Sequence, residues 1–181
     1  TALLDTNATI DVFISKVNDY DILHLSMHTL INDQEPLYSK LIFYDKDYTN
    51  NQGLLTTSQL YSLKLDAKLS VLSACSSGDG EYKNGEGVMS LSRGFFYAGC
   101  PSLIMTLWKV EDKSGLKLMK LFYKNLLRGH SKSKALYLAK IEFIQTAAEY
   151  NKHPFFWASY ILIGDTTPIY YGQGIYVITF I

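Results

Sequence analysis

Four short apolar runs bounded by turn formers, at residues 22–27, 69–74, 102–107 and 157–163, alternate with stretches whose apolar residues recur at helical spacing. This alternation is the tightest constraint on the fold. Strands joined through helices pair in parallel, and a parallel sheet has to be covered on both faces. The expected class is therefore α/β, a mostly parallel sheet with helices on both faces. Asn7 reads as a cap ahead of Ile10, Phe13, Ile14 and Val17, giving a helix over residues 8–17. Residues 41–44 and 54–55 flank a turn-rich stretch and suit a hairpin, and Thr56 with Gln59 suits a capping box opening a short helix. Helices follow at 88–98, stopped by Gly99, and at 114–127, stopped by Gly129. A last one runs from the Ser131 cap to about residue 150.

With 181 residues the chain is long enough for one domain with a sizeable core. Its 17 Lys and Arg balance 17 Asp and Glu, so electrostatics gives no case for a nucleic acid or an anionic membrane as partner. Two cysteines make no disulfide framework, and no CxxC or Cys/His cluster has metal-site spacing. A reducing, cytoplasmic setting is expected, without metal or cofactor. The opening TALLDTNATI lacks signal-peptide character, and no uninterrupted apolar stretch reaches the ~18 residues of a spanning helix. The apolar ending IYVITFI, within a tail at 169–181, reads as either an edge strand or the start of something longer.

Sites in open α/β sheets lie at the carboxyl ends of strands. His28 and Cys75 close two of the apolar runs, 75 − 28 = 47 residues apart, room for a crossover between neighbouring strands. A thiol attacks as thiolate, and a histidine in hydrogen-bond reach lowers its pKa. Cys75 stands where LSVLSA gives way to SSGDGEYKNGEG, a position for an exposed nucleophile, although a small buried residue would also fit there. His24 shares a strand face with His28 but lies deeper, so it reads first as a core histidine with a satisfied hydrogen bond and second as a rival partner for the thiol. Cys100, in the turn Gly99-Cys100-Pro101, reads as a packing residue, His130 as solvated and His153 as structural. Asp79, Glu81 and Glu86 read as a solvated loop, since their spacing is not that of an EF-hand, and GDGEYKNGEG lacks the ending of a phosphate loop.

In DILHLSMHT, LSVLSACSSGDGEYKNGEGV, AGCPSLIMTLWKVEDKSG and HPFFWASYILIGD, in that order, the chain resembles CHAT domains. These are caspase-like domains often fused to tetratricopeptide repeats and related to separase and clan CD cysteine peptidases. The resemblance covers roughly residues 22–168 and implies a caspase-like sheet. It also implies an endopeptidase in which Cys75 is the nucleophile, His28 the general acid and base, and the N–H groups of Cys75 and Thr29 the oxyanion donors. Thr29 stands where relatives usually have Gly. Some basic-specific relatives carry an Asp two residues before the nucleophile. Ser73 is there instead. Separase-like relatives use acidic chemistry in the loop after the following strand, which WKVED resembles, and that resemblance implies Asp112 as the candidate reader of Arg or Lys before the cut. Its competing role is to cap the next helix. Relatives usually have a further strand and helix before the point where this chain starts. The chain then reads as an excerpt of a longer polypeptide, with helical repeats upstream, or as a shortened form whose sheet lacks the N-terminal strand. The alternative function is a catalytically inactive interaction module of the same fold.

Overall fold

The computed structural model describes residues 2–3, 5–46, 53–73, 86–169 and 175–180. Its main sheet has six strands: β1 (Ala2–Leu3), β2 (Ile22–Leu25), β6 (Leu69–Leu72), β7 (Ser102–Thr106), β8 (Tyr160–Gly164) and β9 (Val177–Phe180), in the order β1-β9-β2-β6-β7-β8. Neighbours run parallel except β7 and β8. A small antiparallel sheet joins β3 (Thr29–Leu30), β4 (Lys40–Ile42) and β5 (Leu54–Thr56). The expected hairpin is β4–β5, and the backbone beyond β2 adds the third strand.

Strand alternation splits the core between two faces. Leu23, Leu25, Leu72, Leu103 and Met105 pack with Phe13 of α1 (Ile10–Lys16), Leu60 of α2 (Thr57–Leu60) and Phe95 of α3 (Glu86–Tyr97). On the other face Ile22, Leu69, Val71 and Ile104 meet Leu118, Phe122 and Leu126 of α4 (Asp112–Leu127) and Phe143 of α5 (Lys132–Thr146). The arrangement is helix, sheet, helix, as a parallel sheet demands. Each fully buried Leu or Phe here contributes ~1.5–3 kcal/mol of transfer free energy.

Local signals decide several boundaries. Thr56 and Gln59 form the expected capping box, and Ser131 caps α5 by accepting the Lys134 N–H at 3.3 Å. Gly99 and Gly129 adopt positive φ of 110° and 81° after α3 and α4. Three expectations are corrected. The cap of α1 is Thr9, which accepts the Val12 N–H at 3.3 Å, and Asn7 belongs to a preceding 3-10 turn. The helix from Ser131 ends at Thr146, and residues 149–152 form a separate 3-10 turn. Val177–Phe180 is an interior strand rather than an edge one. It pairs with β2 on one side and β1 on the other, with Ile178 and Phe180 fully buried.

Candidate functional site

Because β2, β6 and β7 are parallel, their carboxyl ends share one rim of the sheet. The ladder between β2 and β6 pairs Leu25 with Leu72 and continues to the Ser73 N–H, which donates to the Leu25 carbonyl at 3.1 Å. Beyond Ser26 the chain turns into β3. The His28 carbonyl accepts the Ile42 N–H at 3.0 Å, so its backbone is anchored on the hairpin while its side chain is exposed. Cys75 lies outside the described residues, as do Asp79 and Glu81; Glu86 is the first residue of α3.

Thr29 faces inward, 3% exposed, between exposed His28 and 39%-exposed Leu30, so its side chain is tucked away rather than spread over the rim. Its backbone orientation follows from the ladder. His28 and Ile42 form a hydrogen-bonded pair, and in an antiparallel sheet the next pair, Thr29 with Leu41, is not one. The Thr29 N–H is therefore turned away from β4.

One layer deeper a polar chain runs through apolar surroundings. The Tyr123 hydroxyl of α4 lies 3.0 Å from His24 Nδ1, and His24 Nε2 lies 3.0 Å from Ser73 Oγ. Both ring nitrogens of His24 are thus engaged, which fits a core histidine with satisfied partners. Burial lowers its pKa to about 4, so the ring is neutral at physiological pH. Burial, and then Coulombic repulsion from Tyr160, push the Tyr123 phenol up, so it stays protonated. Ser73, at the substrate-binding position where some relatives carry an Asp, engages its hydroxyl in this chain. Tyr123 escapes sequence reasoning because no motif marks it; the signal is its helical spacing, four residues after the buried Met119.

The loop after β7 is pinned at both ends. The Trp108 indole donates to the Phe155 carbonyl at 2.9 Å, and Glu111 accepts from Ser114 Oγ at 2.8 Å and Asn151 Nδ2 at 3.2 Å. Glu111 is the N-cap residue of α4. Asp112 follows in the first turn, exposed, where the helix dipole favours a carboxylate. It is neither the cap nor in a buried pocket.

Residues 1–165 match the family model described as the CHAT domain. The chain belongs to the CHAT-domain family. That family is related to caspase-like peptidases. Two relatives, both named tetratricopeptide repeat protein 28, are 33% identical in mouse and 32% in human over 112 residues, 62% of this chain. The match spans 4% of the length of each relative.

In this CHAT domain Cys100 stands just before β7, at the amino rim of the sheet. Cys100 is buried, takes a hydrogen bond from Ser70 Oγ at 3.3 Å and donates to the Ser102 carbonyl at 3.2 Å; burial pushes its thiol pKa up. It is the packing residue the sequence suggests. His153 Nδ1 accepts the Phe155 N–H at 3.3 Å in a 3-10 turn, a structural role, while His130 is half-buried rather than fully solvated. Among the described residues no His, Cys, Asp and Glu group could hold a metal ion, and no helix is long and apolar enough to cross a membrane.

Proposed function

We propose that this CHAT domain is a caspase-like cysteine endopeptidase working through Cys75 and His28. The carrying observation is the register of two neighbouring parallel strands, Leu25 opposite Leu72. His28 follows Leu25 by 28 − 25 = 3 residues in sequence and Cys75 follows Leu72 by 75 − 72 = 3, equal distances beyond a paired position, which supports the reading. The exposed His28 side chain and the inward-turned Thr29 side chain favour the same reading.

In this reading the Cys75 thiolate attacks the carbonyl carbon of the scissile peptide bond, and the oxyanion is received by the N–H groups of Thr29 and Cys75. Collapse breaks the C–N bond, and the leaving amine takes a proton from His28, leaving a thioester on Cys75. Water then gives a proton to His28 as it attacks the thioester, and the carboxylate product and free thiol result. The substrate is a protein or peptide. Asp112, exposed, gives only a surface-strength preference for Arg or Lys. The relatives' name supports a polypeptide that also carries tetratricopeptide repeats, and a cytoplasmic setting suits a thiol kept reduced.

A peptidyl acyloxymethyl ketone tests this. The expected result is a time-dependent adduct mapped to Cys75 by mass spectrometry, slowed in His28→Ala. A folded protein that gains no adduct at Cys75 is an interaction module instead.

A further inference from the structure

The Tyr123–His24–Ser73 chain is an unusual way to fill this space. The surrounding face of β2 and β6 is apolar, formed by Ile22, Leu69 and Val71, and apolar side chains would cover it without polar groups to satisfy. Yet it crosses the face from α4 through the middle of β2 to Ser73, the first residue past β6. The Ser73 backbone is also held in the ladder there, by Leu25, and Ser73 precedes the candidate nucleophile by 75 − 73 = 2 positions.

We propose that Tyr123, His24 and Ser73 form a positioning relay that fixes the point at which the nucleophile segment leaves the sheet, and so sets the reactivity of Cys75. The inference rests on the peptidase reading. A neutral imidazole has one donor and one acceptor nitrogen, so with a protonated phenol on one side and a hydroxyl on the other the chain runs in one sense at a time, set by the tautomer. Burial keeps His24 neutral, which preserves that pattern. The relay touches neither substrate nor reacting atoms; it acts through the backbone of Ser73.

The test is the rate of Cys75 alkylation by iodoacetamide against pH, alongside peptide kcat and KM, in the wild type, Tyr123→Phe, Ser73→Ala and Ser73→Thr. The wild type should show a thiol titrating below the ~8.5 of a free cysteine. Tyr123→Phe and Ser73→Ala should each slow Cys75 alkylation at neutral pH and lower kcat by about tenfold, with KM unchanged, because they misplace the nucleophile rather than the substrate. The double variant should be no worse than either single one, since both cut the same chain. Ser73→Thr keeps the hydroxyl and should restore most of the rate. Variants that lower thermal stability while leaving the alkylation profile and kcat at wild-type values overturn the relay alone. An ordinary thiol profile in the wild type overturns the peptidase reading and the relay with it. Should Ser73→Ala not fold, Tyr123→Phe decides, since it removes a single oxygen.

Discussion

The two rims of the sheet differ in how their polar groups are engaged. At the amino rim the backbone is closed on itself. Cys100 is locked between Ser70 and Ser102, the Ser102 hydroxyl donates to the Asp165 carbonyl at 2.7 Å, and the Asp165 N–H donates to the Pro101 carbonyl at 2.9 Å. The buried Lys132 ammonium meets the Asp165 carboxylate at 2.9 Å. At the carboxyl rim the chain beyond β2 bends into β3, and His28 stands exposed. A thiol at the first rim is desolvated and inert, whereas one at the second can be reached and activated. In the proposed reading, sheet direction, more than residue type, separates Cys100 from the candidate nucleophile.

The largest expected effect breaks the closed rim. Gly164 has φ of 89°, and a Cβ there would fall on the Pro101 carbonyl oxygen and 2.7 Å from the Phe96 ring. Gly164→Ala should destabilise by about 3 kcal/mol in urea unfolding, from backbone strain and the forced shift of a neighbour. Cys75 alkylation in the folded fraction should stay at the wild-type rate, because the other rim is untouched. A change there would mean the rims are coupled.

The next effect lies under the open rim. The folded pKa of His24, about 4, is below the ~6.5 of the unfolded chain, so its contribution is fully present above 6.5 and is lost as pH falls toward 4. Between pH 7 and 5 this amounts to about 2 kcal/mol, read by urea midpoints. The slope between pH 6.5 and 5, above the carboxylate range, should vanish in His24→Gln. A wild type with no slope there would mean the ring takes up a proton in place.

Asp165 supplies the counterpart at the closed rim. The Thr167 N–H, and after it the Lys132 ammonium, hold its carboxyl down at about 2. The folded value is below the ~3.9 of the unfolded chain, so this contribution is present above pH 4 and lost as pH falls toward 2. Lys132→Met should lower the unfolding midpoint and flatten, without removing, that acid limb, because the Thr167 hydrogen bond remains. Smallest of all, Asp112→Ala should change the preference for Arg or Lys before the cut by a few-fold at most, as suits an exposed carboxylate. A loss far beyond that in a fluorogenic peptide panel would place Asp112 in a substrate-formed pocket.

What the sequence reveals divides along physical lines. The capping box at Thr56 and Gln59, the Ser131 cap and the stops at Gly99 and Gly129 are legible because each is settled within a few residues. The apolar runs reveal the parallel core because a strand covered on both faces has nowhere to place polar groups except in pairs. Long-range pairing is not legible. Nothing local to Thr29–Leu30 announces β4 as partner, and nothing in VITF says that it will lie between β1 and β2. For the site, the sequence offers His28 and Cys75 through the apolar runs and the family motif; β2 ends at Leu25, and Cys75 lies outside the described residues. Tyr123, 99 residues from His24, is invisible until the fold brings α4 onto β2.

The most direct test of the account compares the two thiols in one native sample. Iodoacetamide at neutral pH should label Cys75 at least tenfold faster than Cys100 in the wild type, with the advantage lost in His28→Ala while Cys100 stays as slow as before. Equal rates for the two cysteines in the folded wild-type protein would contradict it.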